Sequence, residues 1–261
     1  MDLPLFQVDA FTDRLFTGNP AAVCLLEEWL PSDMMLKIAQ ENNLAETAFC
    51  LMQNDVFSIK WFTPEIEMDL CGHATLATAH VLFQYYFPER NQISFQSNSG
   101  ELTVRRDKDW YQLDFPSRPP TAAALPAIIL EGIGPAPTEV LMARDYVLVY
   151  ERQEQVEAIQ PNIALLNTIN IDPGGIVVTA PGREVDFVSR FFTPQASIFE
   201  DPVTGSAHCS LIPYWSKRLE KDQMIARQIS SRGGLLRVAD QGERVLISGQ
   251  AVTYLQGTIK I

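Results

Sequence analysis

An internal repeat constrains this chain more than any other feature of its sequence. The tripeptide Phe-Thr-Pro occurs at residues 62–64 and again at 192–194, 130 positions apart in a chain of 261 residues. Each copy is followed by a loop and then by a glycine, Gly72 or Gly205, that opens an apolar segment. Agreement of tripeptide, loop and following segment indicates a duplicated unit rather than chance. We therefore predict two similar domains, related by a pseudo-twofold axis, with a cleft between them.

The hydrophobic periodicity predicts an α+β fold in both halves. The segment that begins at Gly72 carries almost no charge on any face, which is typical of a helix buried on all sides. Strands are thus expected to surround a buried helix in each half. Predicted strands cover residues 3–11, 21–26, 46–52, 56–62, 91–97, 101–105, 110–115, 146–150, 175–180, 184–192, 225–231, 235–239 and 244–250, and predicted helices cover 32–42, 72–83, about 162–168 and a segment from 205.

Proline placement predicts the domain boundary and one helix irregularity. Four prolines fall within residues 115–127, where neither a helical nor a strand period continues. We accordingly predict domains at 1–118 and 119–261. Pro213 lies inside the second glycine-led helix and is expected to bend it or end it early.

Charge and cysteine content exclude several classes of function. With 20 basic and 32 acidic residues, the net charge of -12 disfavours binding to nucleic acid or to anionic membranes. No leader pattern and no apolar run of about 18 residues is present. The four cysteines are scattered without a C-x-x-C pair, which favours a reduced, cytoplasmic protein. Since there are only three histidines, carboxylates are the leading acid/base candidates.

Two helices that begin at a cleft would point free backbone N–H groups at it, an arrangement that favours a small carboxylate ligand. Gly72 and Gly205 would allow close approach, although each glycine could equally serve a tight turn. Glu46 precedes an apolar strand, where it is either a solvated strand-start residue or a proton-transferring carboxylate. His73 could relay a proton or could bond to backbone, and Asp201, beside the equally acidic Glu200, could face the site or shape an Asp-Pro turn.

Several ordered motifs resemble those of the PhzF-like proteins, named for phenazine biosynthesis and related in fold to diaminopimelate epimerase. They are VDAFTDRLFTGNPAAV, NNLAETAF, FTPEIEMDLCGHATLATAHVL, SNSGELTV and SRFFTPQASIFEDPVTGSAHCSLIPYW. The resemblance implies two similar domains, each a barrel-like, mostly antiparallel sheet around a central helix. It further implies that no cofactor is used. PhzF-like proteins are often dimers, so a homodimer is one expected state of the chain.

The same resemblance implies roles for individual residues. Glu46 matches the family's acid/base glutamate, and His73 and Asp201 match residues that line the site. The family's chemistry is a proton shift on an unsaturated amino or hydroxy acid, so the expected substrate is a small carboxylate. The matching substrate-binding positions are Gly72, Gly205 and Ser206, with Asn19 of the G-N-P motif as a further pocket residue.

Rival functions remain open at this level. Related epimerases use two opposed cysteines, and here Cys71 occupies the first such position while Thr204 occupies the second. A metal enzyme lacks the usual ligand spacings, and Ser206 lies in T-G-S-A-H rather than in the G-x-S-x-G of serine hydrolases. The stronger alternatives to a proton-shifting isomerase are an amino-acid epimerase or racemase and a non-catalytic binding protein on the same fold.

Overall fold

The computed structural model describes residues 1–53, 55–171 and 174–261, which divide into two compact units. Unit 1 comprises Met1–Asp114 together with Ile247–Ile261, and unit 2 comprises Phe115–Leu246. The division predicted at 1–118 and 119–261 therefore needs a correction, because the end of the chain belongs with the first unit. The physical reason is a strand pairing that the sequence did not reveal, in which Ala251–Lys260 runs antiparallel along Asp2–Ala10.

The described residues of unit 1 form two α-helices and a β-sheet. Strands and helices are numbered in chain order through both units; β8 carries the chain into unit 2, and β17 carries it back into unit 1. The elements of unit 1 are β1 (Asp2–Ala10), β2 (Asn19–Leu26), α1 (Ser32–Asn42), β3 (Glu46–Gln53), β4 (Val56–Phe62), β5 (Glu67–Met68), α2 (Gly72–Val81) with a π-helical turn at Leu82–Tyr86, β6 (Gln92–Ser97), β7 (Gly100–Asp107), β8 (Trp110–Pro116) and β18 (Ala251–Lys260).

Within the part of unit 2 that the structure describes there are four α-helices, three of them short. Its elements are β9 (Thr121–Ala122), α3 (Ala127–Ile133), β10 (Glu139–Met142), β11 (Tyr146–Val149), α4 (Gln153–Glu157), α5 (Ile163–Leu166), β12 (Ile176–Pro181), β13 (Phe187–Phe192), β14 (Glu200–Asp201), α6 (Gly205–Leu219), β15 (Gln223–Gln228), β16 (Gly234–Asp240) and β17 (Arg244–Gly249).

The strand pairings of the two units follow the same order. In unit 1, β1–β2 is antiparallel, β2–β3 parallel, β3–β4 antiparallel, β4–β6 parallel and β6–β7 antiparallel. In unit 2, β10–β11, β11–β12, β12–β13, β13–β15 and β15–β16 repeat that sequence of pairings. The parallel pairs lie where helices connect the strands, as crossover geometry requires. The predicted α+β fold of two similar units is thus confirmed.

Helix α2 is the central helix of unit 1. Nine of its ten residues are buried, and it packs against β1, β2, β3 and β18. The hydroxyls of its two threonines donate hydrogen bonds to backbone carbonyls one turn earlier, Thr75 to Cys71 at 2.6 Å and Thr78 to Ala74 at 2.7 Å. The two threonines are therefore tolerated in a buried helix, because their hydroxyls form hydrogen bonds within that helix. Among the described residues, no helix has the length and apolarity that crossing a membrane requires.

Helix α6, the counterpart of α2 in unit 2, runs through Pro213 without ending. Of the two effects expected of Pro213, a bend or an early end, the early end is therefore wrong. Proline cannot donate to the carbonyl of residue 209, but the backbone N–H of Arg118 takes that acceptor at 2.9 Å. The carbonyl of residue 209 is thus hydrogen-bonded to a donor outside the helix, so the interior proline leaves no unsatisfied acceptor there.

We predict that the protein loses stability in acid, because each unit buries a histidine, His80 in unit 1 and His208 in unit 2, whose pKa is lowered by burial. Burial lowers the pKa of His80 and that of His208 to about 4, from an ordinary value of 6.5. Both imidazoles are neutral in the folded protein at neutral pH, whereas the unfolded chain takes up protons below pH 6.5. The free energy of unfolding is therefore highest above pH 6.5 and falls as the pH drops toward 4. Full protonation costs on the order of 3 kcal/mol for each histidine.

The measurement is the free energy of urea unfolding between pH 7 and pH 4. His208→Gln should make the free energy of unfolding less dependent on pH, because glutamine does not titrate in this range. Glutamine is chosen because it can still donate to the Thr204 carbonyl, which His208 Nδ1 contacts at 2.7 Å. A variant whose stability fell with acid as steeply as the wild type would show that His208 is not the titrating group.

Candidate active site

Glu46 stands at the start of β3, four residues after the end of α1 at Asn42. Asn43, with φ of 48°, caps α1 in the left-handed conformation and turns the chain toward the sheet. Glu46 then pairs with Ala21 of the parallel neighbour β2, whose first residue is Asn19. The Glu46 side chain retains only 16% of its exposure, which is low for a carboxylate at a strand end. The Glu46 carboxylate faces His73 in the first turn of α2.

His73, the second residue of α2, contacts the side chains of three other residues. Its Nε2 lies 3.1 Å from Glu46 Oε2, and its Nδ1 lies 3.2 Å from the amide nitrogen of Asn19 and 3.5 Å from Cys71 Sγ. Since the Asn19 amide donates to Nδ1, the neutral imidazole carries its proton on Nε2, toward Glu46. The Glu46 contact lies off the line of a good hydrogen bond, and neither of its two atoms has another partner among the described residues.

The electrostatics of this cluster favour a proton on the imidazole. Burial of His73 opposes protonation, but the Cys71 sulfur and the Glu46 carboxylate outweigh it, so its pKa is raised well above 6.5. Burial, followed by the charge of Glu46, raises the pKa of the Cys71 thiol. The thiol therefore keeps its proton, and His73 favours the imidazolium form beside the Glu46 carboxylate.

The corresponding helix start in unit 2 has a different lining. Asp201 lies on β14 and accepts the hydroxyl proton of Thr204, the residue before α6, at 2.5 Å. Gln228, the buried last residue of β15, clamps this loop. Its Oε1 accepts the Thr204 N–H at 2.9 Å, and its Nε2 donates to the Asp201 carbonyl at 2.7 Å and to Thr204 Oγ1 at 3.2 Å. Gln228 thus links the backbone of Asp201 to that of Thr204 at the start of α6.

Replacing Gln228 by leucine should destabilise unit 2. The change leaves the buried Thr204 N–H and the Asp201 carbonyl without these partners, at a cost of about 2–4 kcal/mol. Denaturant unfolding measures the loss, and amide hydrogen exchange should show faster opening at Thr204. The matched control is Gln223→Leu at the exposed start of the same strand, which should change little. Equal effects of the two substitutions would contradict the clamp.

The predicted residues thus fall into two sets. Unit 1 brings together Asn19, Glu46 and His73, with Gly72 as the first residue of α2. Unit 2 holds Asp201, Gly205 and Ser206 around the start of α6. Sequence reasoning did not find the contact of Cys71 with His73 or the clamp by Gln228. No pattern in the sequence marks Gln228, whereas the position of Cys71 two residues before His73 was visible.

The donor atoms of Glu46, Cys71 and His73 all lie within 4.8 Å of one another, the spacing of a possible metal site. However, the sulfur faces Nδ1 of the imidazole and the carboxylate faces Nε2. As it stands, the cluster is a chain of contacts along which a proton can move.

Comparisons with known proteins agree along the whole chain. A family model described as "Phenazine biosynthesis-like protein" matches residues 8–257. An uncharacterized isomerase of Pseudomonas aeruginosa is 46% identical, covering all of both chains. A crystal structure of a phenazine biosynthesis protein of the PhzF family from Enterococcus faecalis has a TM-score of 0.95 at 45% identity and full coverage of both. A probable proline racemase from Agrobacterium radiobacter shares the fold at 10% identity, with a TM-score of 0.65 and coverage of 99% and 93%.

Proposed function

The chain belongs to the phenazine biosynthesis-like family, PhzC-PhzF, and from that premise we propose that it is a cofactor-independent isomerase that shifts a proton within a small unsaturated amino or hydroxy acid. Relatives at 46%, 47% and 43% identity are named uncharacterized isomerases, which supports the reaction class. The substrate, the site residues and the mechanism below are part of the proposal.

One observation carries the proposal: Glu46 Oε2 lies 3.1 Å from His73 Nε2 at the start of a buried helix. A partly buried carboxylate beside an imidazole is a pair between which a proton can be exchanged without solvent. The N-terminus of α2 starts at Gly72 without a side-chain cap, so its N–H groups can receive the substrate carboxylate.

In this mechanism Glu46 accepts a proton from a carbon adjacent to the unsaturated system and returns it to another carbon of the same molecule. His73 holds the Glu46 carboxylate in place through Nε2, and Asn19 contacts the other ring nitrogen, Nδ1. Negative charge that develops on the substrate carboxylate is stabilised by the helix start. Asp201, Gly205 and Ser206 stay predicted substrate-site residues, and the homodimer and the exclusion of nucleic acid and membrane partners stay predictions.

Incubation of the protein with a panel of unsaturated amino and hydroxy acids in deuterated water tests the proposal. Isomerisation places deuterium at the carbon that receives the proton, and it moves the double bond, which proton and carbon NMR detect. A panel that returned label only at the α-carbon, with inverted stereochemistry, would instead establish an epimerase. Binding without label or rearrangement of any bound acid would leave a non-catalytic binding protein.

The epimerase is the second candidate because Cys71 occupies the position before α2 and contacts His73. An epimerase needs proton-transfer groups on opposite faces of the α-carbon. The counterpart of Cys71 in unit 2 is Thr204, whose hydroxyl is held by Asp201. A threonine hydroxyl is a far weaker acid than a thiol and does not ionise near neutral pH, so the one-carboxylate isomerase fits the residues better.

A further inference from the structure

Strand β18 leaves much of its length open to solvent. It pairs with β1 along one edge, from Lys260 back to Ala251. Five consecutive residues, Tyr254–Thr258, are nevertheless exposed. Successive side chains of a strand point to opposite faces, so a run of five means that neither face is covered there. Exposure of this kind is typical of an edge strand, which offers backbone N–H and C=O groups to a further strand.

Exposed apolar side chains are concentrated beside this edge. The rings of Tyr254 and Phe16 contact each other, with their centroids 5.7 Å apart. Tyr85 and Tyr86 both contact Phe6 of β1, the strand to which β18 is paired. Of the 15 large apolar side chains that are exposed among the described residues, this group contains six: Leu15, Phe16, Tyr85, Tyr86, Tyr254 and Leu255. Single exposed apolar residues are ordinary, whereas a group of them marks an interaction surface.

Phe16 is held toward solvent in a strained conformation. The residue is 68% exposed, and its φ of 68° lies in the left-handed region that a bulky residue rarely adopts. Asp9 Oδ2 accepts the backbone N–H of Phe16 at 2.9 Å, which helps to fix that conformation. Strain that the surrounding structure enforces is typical of contact and ligand sites. An aromatic ring kept in water in this way indicates a partner that covers it.

Charge and size indicate that this partner is a second copy of the chain. With a net charge of -12, two copies repel each other over most of their surfaces, so they should meet where charge is absent. Residues 251–259 carry no charge. A Cβ added at Gly257 would meet only Leu255, at 3.8 Å, so another backbone can approach closely there. The strand, the loop at 11–18 and the two tyrosines supply about twenty residues, as one side of a standard interface does.

We propose that two copies of the chain associate through β18, which pairs antiparallel with β18 of the partner and joins the sheets of two copies of unit 1. An edge strand is complementary to its own copy about a twofold axis. Phe16 and Tyr254 pack against the partner beside the paired strands. This inference goes beyond the proton shift and beyond the expectation of a homodimer, because it says which strand forms the interface. It does not depend on the proposed reaction.

Sedimentation equilibrium of the full chain tests the proposal, and we expect twice the chain mass of 29.3 kDa. Leu255→Lys places a charge from each copy in the interface and should weaken the dimer by about 100-fold or more. The matched control is Ile225→Lys, at an exposed aliphatic position on strand β15 of unit 2, which should leave the dimer intact. A monomeric or openly polymerising wild type, or equal effects of the two substitutions, would overturn the proposal.

Phe16→Asn tests the aromatic contact without changing the backbone, because asparagine tolerates a positive φ. Loss of the ring should weaken the dimer by about tenfold or more, as removal of an aromatic anchor does. Dimer dissociation is measured by the same sedimentation experiment. A dimer as tight as that of the wild type would show that Phe16 lies outside the interface and would contradict this part of the proposal.

Hydrogen exchange separates loss of the interface from loss of the fold. In the wild type, the amides of Tyr254–Thr258 should exchange about tenfold or more slowly in the dimer than in protein diluted until it is monomeric. In Leu255→Lys that extra protection should disappear, while the amides of α2 stay protected and show that unit 1 is folded. A dimer in which the amides of Tyr254–Thr258 exchange as fast as in the monomer would place the interface elsewhere and refute the proposal.

Discussion

Glu46→Gln is expected to lower the turnover number by about 10²–10⁴-fold, the range for removal of a general acid/base. Glutamine keeps the size of the side chain and can still contact His73, but it cannot accept a proton from carbon. Binding of the substrate should change little, since the carboxylate of the ligand is held by the start of α2. Substrate conversion followed by NMR measures the first effect, and calorimetry measures the second.

The control for this substitution is Glu41→Gln, at an exposed position near the end of α1. It should leave turnover unchanged. A readout that needs no substrate is the NMR titration of the imidazole, because the Glu46 carboxylate raises the pKa of His73. That pKa should fall in Glu46→Gln and not in Glu41→Gln, and an unchanged titration would show that the pair is not coupled.

Removal of residues 251–261 is expected to destabilise unit 1 severely. Strand β18 pairs with β1 from Asp2–Lys260 to Ala10–Ala251, and Thr253 also contacts the buried His80 at 2.9 Å. Loss of that ladder exposes one edge of β1, and at about 1 kcal/mol for each hydrogen bond the cost is comparable to the whole stability of a domain. We expect an unfolded or aggregated unit 1, measured by denaturant unfolding and by hydrogen exchange of β1 amides.

A shorter deletion of Lys260 and Ile261 is the matched control. It removes the end of the strand but leaves the pairing from Ala10 to Leu3, so stability should fall by no more than about 1–2 kcal/mol. If the long deletion unfolded at the same denaturant concentration as the short one, β18 would not be part of the fold of unit 1.

The sequence predicted local elements well where the periodicity was strong. Helix α1 and strand β4 have the predicted bounds, 32–42 and 56–62, and the repeat around Phe-Thr-Pro anticipated the matching strand orders. It missed β9, α3, β10 and α4, which have two to seven residues and are too short to show a period. It also missed β18, whose partner β1 lies at the other end of the chain.

For the site, the sequence indicated which residues matter but not how they touch. Glu46 is recognisable as a charge before an apolar strand, whereas its contact with His73 exists because β3 and the start of α2 meet in the fold. The contact of Cys71 with His73 depends on the extended backbone of Cys71 before α2, with φ of −139°, which no periodicity encodes. Contacts across elements are set by tertiary packing, and spacing alone cannot supply them.

Hydrogen exchange at the reacting carbon tests the central claim most directly. Wild type and Glu46→Gln are incubated side by side in deuterated water with an acid that the wild type converts, and loss of the carbon-bound proton signal is followed by NMR. The account predicts exchange with the wild type and almost none with Glu46→Gln over the same period. Exchange at equal rates in both proteins would contradict the assignment of Glu46 as the group that moves the proton.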